Sequence, residues 1–305
     1  MNRRHFIQSA LAVGVAGCAT SGQSQPRIID SHTHFYDPTR PEGVPWPDSK
    51  DPVLYRPVLP AEFTALTSPL GVVGTVVIEA SPWPKDNEWL LALAEKNPVI
   101  LGVVGNLTPG APAFRTQLEA LARNRRFRGI RIGSEPLRAA QSPGAVREDL
   151  KFLARRGLSV DVLIPPEQLL DAANLGRTIS DLQIIVDHCS NVPVGSPAPN
   201  DWTAGLVACH YAPNVSMKVS GLVEGTGRRG GSAPTDASVY QTVLDAIWHP
   251  FGEDRVLFGS NWPVSLHFAS YGTVLHIVQD YFATKGPGAS AKYFHRNARR
   301  VYRLS

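Results

Sequence analysis

Two histidines stand two residues apart at the end of an apolar run, in Ile28-Ile29-Asp30-Ser31-His32-Thr33-His34. On a strand, alternate side chains share a face, so His32 and His34 can grip one metal ion or one oxyanion together. The arrangement recurs along the chain, where apolar runs end in Glu79, Asn106, Arg131, Asp187 with His188, Lys218 with Ser220, and Asn261. Charged groups are costly to bury without partners, so a ring of them at strand ends reads as a site rather than as core. The plainer alternative for Arg131 or Lys218 is a structural role, neutralising Asp187 or Glu79. His32, His34 and His188 together offer three neutral nitrogens. Such a set can hold one divalent metal, zinc above all, with water in the open position and its pKa brought toward neutrality.

These groups need a scaffold that gathers strand ends. The apolar runs Ile28-Ile29, Val72 to Ala80, Val99 to Leu107, Phe127 to Ile132, Leu158 to Ile164, Leu182 to Val186, Val215 to Val219 and Val256 to Phe258 are rich in Val and Ile and nearly continuous. That is the pattern of parallel strands covered on both faces. Between them lie segments with helical spacing, such as Glu88 to Lys96, Ala113 to Arg125, Val146 to Arg156 and Val239 to Trp248. The alternation predicts an α/β fold, a single (β/α)8 TIM barrel, ahead of an open doubly wound sheet, since no glycine-rich nucleotide loop follows the first strand. A proline-rich connection from Phe35 to Pro60 and a glycine-rich loop from Gly221 to Ala233 leave from the face where barrels place their chemistry.

At 305 residues, with 43% hydrophobic and 18% charged side chains, the chain can bury a large core without disulfide staples. The residues MNRRHFIQSALAVGVAGC combine Arg3-Arg4, a short apolar run and small residues ending at Cys18, which reads as an export signal over residues 1–17. The arginine pair with Phe6 and Ile7 resembles a twin-arginine signal, and Val15-Ala16-Gly17-Cys18 resembles a lipoprotein box. The expectation is a protein at the periplasmic face, lipid-anchored at Cys18, with a linker over 18–26 and the barrel over 27–305. The formal charge of +4 loses two units with Arg3 and Arg4, and the remaining basic residues are scattered, so nucleic acid is not an expected partner. Cys189 and Cys209 are expected as free buried thiols. Trp83 and Trp262 follow strand ends and suit the wall of a pocket for a sugar or planar ring. Asp161, inside a strand, reads as structural. Ser31 and Ser260 lack a nucleophile elbow, which argues against a serine hydrolase.

The stretches His32-Thr33-His34, Gly129-Ile130-Arg131, Asp187-His188, Lys218-Val219-Ser220-Gly221 and Phe258-Gly259-Ser260-Asn261-Trp262-Pro263 resemble the motifs of the amidohydrolase superfamily. The nearest group in it is the amidohydrolase-2 type, with its fuconolactonase-like and pyrone-dicarboxylate lactonase-like hydrolases. The resemblance covers essentially the whole chain after the leader. It implies hydrolysis of a small carbonyl compound, a lactone from sugar or aromatic breakdown, with or without one divalent metal. On that basis His32, His34 and His188 are candidate metal ligands, and Arg131, Lys218, Asp187, Trp83 and Trp262 candidate substrate contacts. The family usually has aspartate in Gly-Ser-Asp-Trp-Pro, whereas this chain has Asn261. An amide cannot serve as a general base near neutral pH. Glu79 is then the first candidate to take over, as base or anionic ligand, with His188 second and Asn261 as a hydrogen-bond donor. The alternative for Glu79 is an ion pair with Arg131, and for the whole protein a barrel that binds a carbohydrate or organic acid without turning it over.

Overall fold

The computed structural model describes residues 27–305. The export signal and the whole linker, Cys18 included, lie outside the described residues. Eight parallel strands form one sheet in sequential order: β1 (Ile28–Thr33), β2 (Val72–Ile78), β3 (Ile100–Gly105), β4 (Phe127–Ile132), β5 (Ser159–Val162), β6 (Gln183–Val186), β7 (Val215–Val219) and β8 (Val256–Phe258). Helices alternate with them, and the order and parallel pairing make a single (β/α)8 barrel, as the run pattern predicts. Among the described residues no helix is long and apolar enough to cross a membrane.

The core is in two parts because each strand has two buried faces. One cluster fills the space between strands and helices, with Phe63, Leu118, Leu153, Leu206, Leu244 and Ile277 among its members. A smaller one, of Ile29, Val76, Ile78, Val104, Ile185 and Leu257, is joined by Ala298, Val301, Tyr302 and Leu304 from the C-terminal end. The last segment of chain thus packs into the barrel. Cys189 and Cys209 are both free and buried.

The ring closes between the first and last strands, and the closure lies at the site. The His34 N–H donates to the Trp262 carbonyl and the Asn261 N–H to the His32 carbonyl, both at 2.9 Å. Beneath these bonds, one Asp30 oxygen accepts from the backbone N–H groups of His32 at 3.1 Å and Ser260 at 2.9 Å. The other accepts from the Tyr271 hydroxyl at 3.0 Å. Asp30 therefore spans the seam and ties it to the following helix, Tyr271–Ala283. The Asp30→Ala variant leaves three buried donors without an acceptor and is expected to cost about 3 kcal/mol or more in urea-induced unfolding.

Candidate active site

Three of the expected site residues sit at the closing end of β1 and just beyond β6. Donor atoms of His32, Asp187 and His188 lie within 4.8 Å of one another, and all three residues are buried. His188 begins an unusual segment: His188, Cys189, Ser190 and Asn191 all have left-handed backbone, with φ between 52 and 59°. Such conformations are costly for non-glycine residues and persist only when neighbours enforce them. Here the Ser190 hydroxyl donates to the Pro165 carbonyl at 3.1 Å, the Asn191 amide to the Ile164 carbonyl at 2.9 Å, and the Trp202 indole to the Cys189 carbonyl at 3.0 Å. Gly221 and Gly259 let neighbouring strand ends approach. A Cβ on Gly221 would stand 2.7 Å from the His188 Cβ, and one on Gly259 would stand 2.9 Å from the His32 Cβ.

Beneath the cluster is a buried charge network. Lys218, fully enclosed, places its ammonium 2.5 Å from Asp161 Oδ2, 3.0 Å from Asp187 Oδ1 and 3.3 Å from His32 Nδ1. The Tyr302 hydroxyl donates to Asp161 Oδ2 at 2.7 Å. Burial pushes the Asp187 carboxyl upward, but Lys218 and His32 outweigh it and hold the group well below the usual carboxylate range. For Asp161, burial prevails over Lys218 and the shift is upward. Asp161 is structural, as its place inside a strand implies, but its structural work is to neutralise a site lysine. Lys218 itself, expected to meet substrate, is committed to these two carboxylates below the mouth.

The histidines are held uncharged. Burial, reinforced by Lys218, keeps His32 well below the ordinary imidazole value; burial, reinforced by Arg131, takes His34 down to about 3 and His188 to about 4. His188 Nδ1 is 2.9 Å from the Ser220 hydroxyl. His32 Nε2 is buried with no hydrogen-bond partner, and neither Asp187 oxygen has a hydrogen bond of good geometry. Two neutral imidazoles and an ionised carboxylate, with buried donor atoms left unspent, are a donor set that fits a divalent metal such as zinc. His34 is placed differently. Its Nδ1 is 3.0 Å from the Ile78 carbonyl and its Nε2 is 3.3 Å from Asn261 Oδ1.

Above these groups is a cavity of about 280 Å³ lined by His34, Trp46, Ala80, Arg131, Leu163, His188, Asn261 and Val264. A neighbouring cleft of about 400 Å³ shares Trp46, Ala80, Arg131 and Leu163 and adds Glu79 and Asn106. Arg131 donates from Nε to Glu79 Oε1 at 2.9 Å and from Nη2 to the Glu79 carbonyl at 2.7 Å, while the Ser81 N–H donates to Glu79 Oε2 at 3.0 Å. Both Glu79 oxygens are thus occupied, the arrangement of the ion-pair alternative. Trp262 is not a cavity wall: it is fully buried against Phe35 and Phe63, because the turn after β8 directs it under the loop. Trp83 is more than a third exposed and lies outside both lining sets. Trp46, from the proline-rich connection, supplies the aromatic wall instead. Sequence reasoning also passed over Glu224, whose Oε1 accepts from the Asn261 amide at 2.9 Å. An acid in a glycine-rich loop after the seventh strand was the available signal.

A family model described as Amidohydrolase matches residues 29–304. The chain belongs to the amidohydrolase family. This amidohydrolase is 29% identical over 284 residues to an L-fucono-1,5-lactonase of Burkholderia ambifaria, covering 90% of this chain and 95% of that one. An amidohydrolase from Burkholderia multivorans, solved with bound HEPES and again with bound zinc, superposes with TM-scores of 0.83 and 0.82. It has 27% identity, and the match covers 91% of this chain and 99% of that one. A probable 2-pyrone-4,6-dicarboxylic acid hydrolase from Acinetobacter baumannii shares the fold, with a TM-score of 0.74 and 16% identity over 91% of this chain and 99% of that one. The family match spans nearly all the described residues, and two relatives that align over most of the chain carry the lactonase name.

Removing the cation beneath the site tests the network. Lys218→Met leaves Asp187 and Asp161 buried side by side without a counter-charge, and an unfolding free energy lower by about 3–5 kcal/mol is expected.

Proposed function

We propose that this amidohydrolase hydrolyses a neutral, hydroxylated lactone of the sugar-acid kind, opening the ring ester to a hydroxy acid. The observation that carries this reading is the His32, Asp187 and His188 cluster beside a cavity whose wall bears Arg131 and Asn261. The fuconolactonase relatives support the lactone class. Among the described residues lining the cavity and its neighbouring cleft, Arg131 is the one Lys or Arg, and Glu79 already balances its charge. A dicarboxylate would enter without a free cation to meet it, whereas a polyol finds hydrogen-bonding groups in Asn106, Arg131 and Asn261 and an aromatic face in Trp46.

His32, His188 and Asp187 would hold one divalent metal, zinc being favoured by the donor set. When bound, that ion supplies Lewis acidity, polarising the ester carbonyl and acidifying water at neutral pH. The protein's own groups do the rest. With its pKa near 4, His188 is a poor proton acceptor at neutral pH but a ready nitrogen donor, which favours a ligand role over a general-base role. Glu79 locks the Arg131 guanidinium from one side, leaving Nη1 to donate toward an oxygen that gains negative charge as water adds to the carbonyl. Trp46 and Leu163 give the cavity an apolar wall. We also propose export and lipid attachment at Cys18, on the leader residues alone. Cell fractionation of Cys18→Ala is the check, with loss from the membrane fraction expected.

Assay of the purified protein against sugar lactones and a pyrone dicarboxylate, with and without chelator, tests the central reading. Turnover of neutral lactones, abolished by chelator and restored by zinc, is expected, with kcat/KM at least about 100-fold lower in Asp187→Asn. Ligand-induced thermal stabilisation without product would favour the binding alternative. Because burial keeps the imidazoles unprotonated, zinc affinity measured by calorimetry should hold nearly level from neutrality down to about pH 5 and fall only as His188 takes up its proton.

A further inference from the structure

Arginines that are scattered along the sequence are gathered by the fold at one end of the barrel. With all eight strands parallel, the turns that lead into them lie together at the end away from the cavity. Arg27 enters β1 there, and Arg123 and Arg125 stand on the turn into β4. The C-terminal residues pack at the same end and add Arg296 and Arg303. All five are exposed, and among the described residues none of them forms an ion pair. They belong to one continuous surface. Arg303 lies against Gly157 at the entry to β5, and the Arg128 stem sits beside Leu304 at Gly102 of β3. Arg299 donates to the Leu304 carbonyl at 3.3 Å. The charges of Arg27, Arg299 and Arg296 all act on His295, whose imidazole is lowered by burial and lowered further by them.

The acids of these turns and helix ends are fewer, Glu95, Asp181, Glu253 and Asp254, and Lys292 engages the last two at 2.6 and 2.8 Å. At the mouth, by contrast, acids and bases interleave, as in Asp37, Arg40, Glu42, Asp48, Lys50 and Asp51 of the proline-rich connection. Cations near helix C-termini also complement the helix dipole. Arg27, however, precedes a strand, and Arg125 stands beyond the last turn of its helix, outside the reach of that effect. Where the chain enters matters as much as the charge. Between Cys18 and Arg27 stand eight residues, Ala19 to Pro26, none of them charged. Fully extended, they span about 30 Å at most. A compact chain of this length is about 45 Å across. A lipid at Cys18 therefore cannot bring the cavity end to a bilayer, and it holds the arginine end there.

We propose that the arginine end of the barrel is a docking surface for an anionic phospholipid bilayer, with the cavity turned toward the aqueous side. The guanidinium fork pairs with phosphate oxygens two at a time, and an anionic surface attracts each basic group that comes within a Debye length. The orientation rests on the acylation at Cys18 proposed above, whereas the charge of the face does not.

Sedimentation with vesicles tests the surface without turnover. The probe is the full-length Cys18→Ala chain, which cannot be acylated at that site, mixed with vesicles of phosphatidylcholine alone or with about 30 mol% phosphatidylglycerol. Binding is expected to require phosphatidylglycerol and to fall at least about tenfold between about 0.05 and 0.5 M salt. Arg27→Gln/Arg296→Gln/Arg303→Gln should weaken it at least about tenfold, while Arg27→Lys/Arg296→Lys/Arg303→Lys should keep it. Lys50→Gln/Arg228→Gln/Arg229→Gln removes the same charge from exposed loops at the mouth and should change binding less than about twofold. Should the first triple variant fail to fold, Arg123→Gln/Arg125→Gln on its exposed turn reads the same contrast. Equal losses in the two glutamine triples, binding indifferent to phosphatidylglycerol, or binding of a short RNA with none to vesicles would each overturn the proposal. Mass spectrometry of the wild type separates the two readings: a protein without acyl chains that still shows the contrast loses the anchor and keeps the surface.

Discussion

A lysine ammonium sealed from water must be neutralised by the protein around it, and Lys218 imposes that requirement on the centre of this barrel. Its two carboxylates come from β5 and from the turn after β6, so one cation fixes the relative positions of three neighbouring strands. Asp187 is kept ionised by that contact, and His32 is kept neutral by the same charge acting with burial. The donor character of the mouth is therefore set from below. Buried ion pairs seldom add net stability over an apolar packing of equal volume, but they hold charged groups in defined places.

Closure of the barrel and assembly of the site are one event. The backbone bonds joining β1 to the turn after β8 are made by His32, His34, Asn261 and Trp262, the residues on either side of the cavity floor. A barrel with an open seam would have His34 without Asn261 opposite it and Asp30 without the Ser260 N–H to accept from. This also explains why β8 can be as short as three residues. Side chains and the Asp30 carboxylate supply the attachment that a longer ladder would otherwise give.

The eight strands were legible because burial on both faces leaves long Val and Ile runs, and the site residues because they interrupt those runs at their ends. His32, Asp187, His188 and Arg131 were all visible in this way. Three kinds of information were not. Whether a polar strand-end residue faces the cavity or the network below depends on depth along the barrel, which left Lys218 open between a substrate contact and the structural pairing with Asp187 that it makes. Loop paths over the mouth are set by tertiary packing, so Trp46 rather than Trp262 forms the aromatic wall. Glu224 reaches Asn261 across 37 residues of chain, and no local pattern records a contact of that span.

The left-handed run from His188 to Asn191 also narrows what the chain can become. It holds four residues, none branched at Cβ, in a conformation that bulky or branched side chains strongly resist. Most random substitutions there would have to displace the backbone, and with it the imidazole that begins the run. The proline-rich and glycine-rich loops above the mouth carry no such steric restriction over most of their length. Drift toward a new substrate is thereby channelled into the rim, while the turn bearing His188 is confined to a small alphabet of short, unbranched residues.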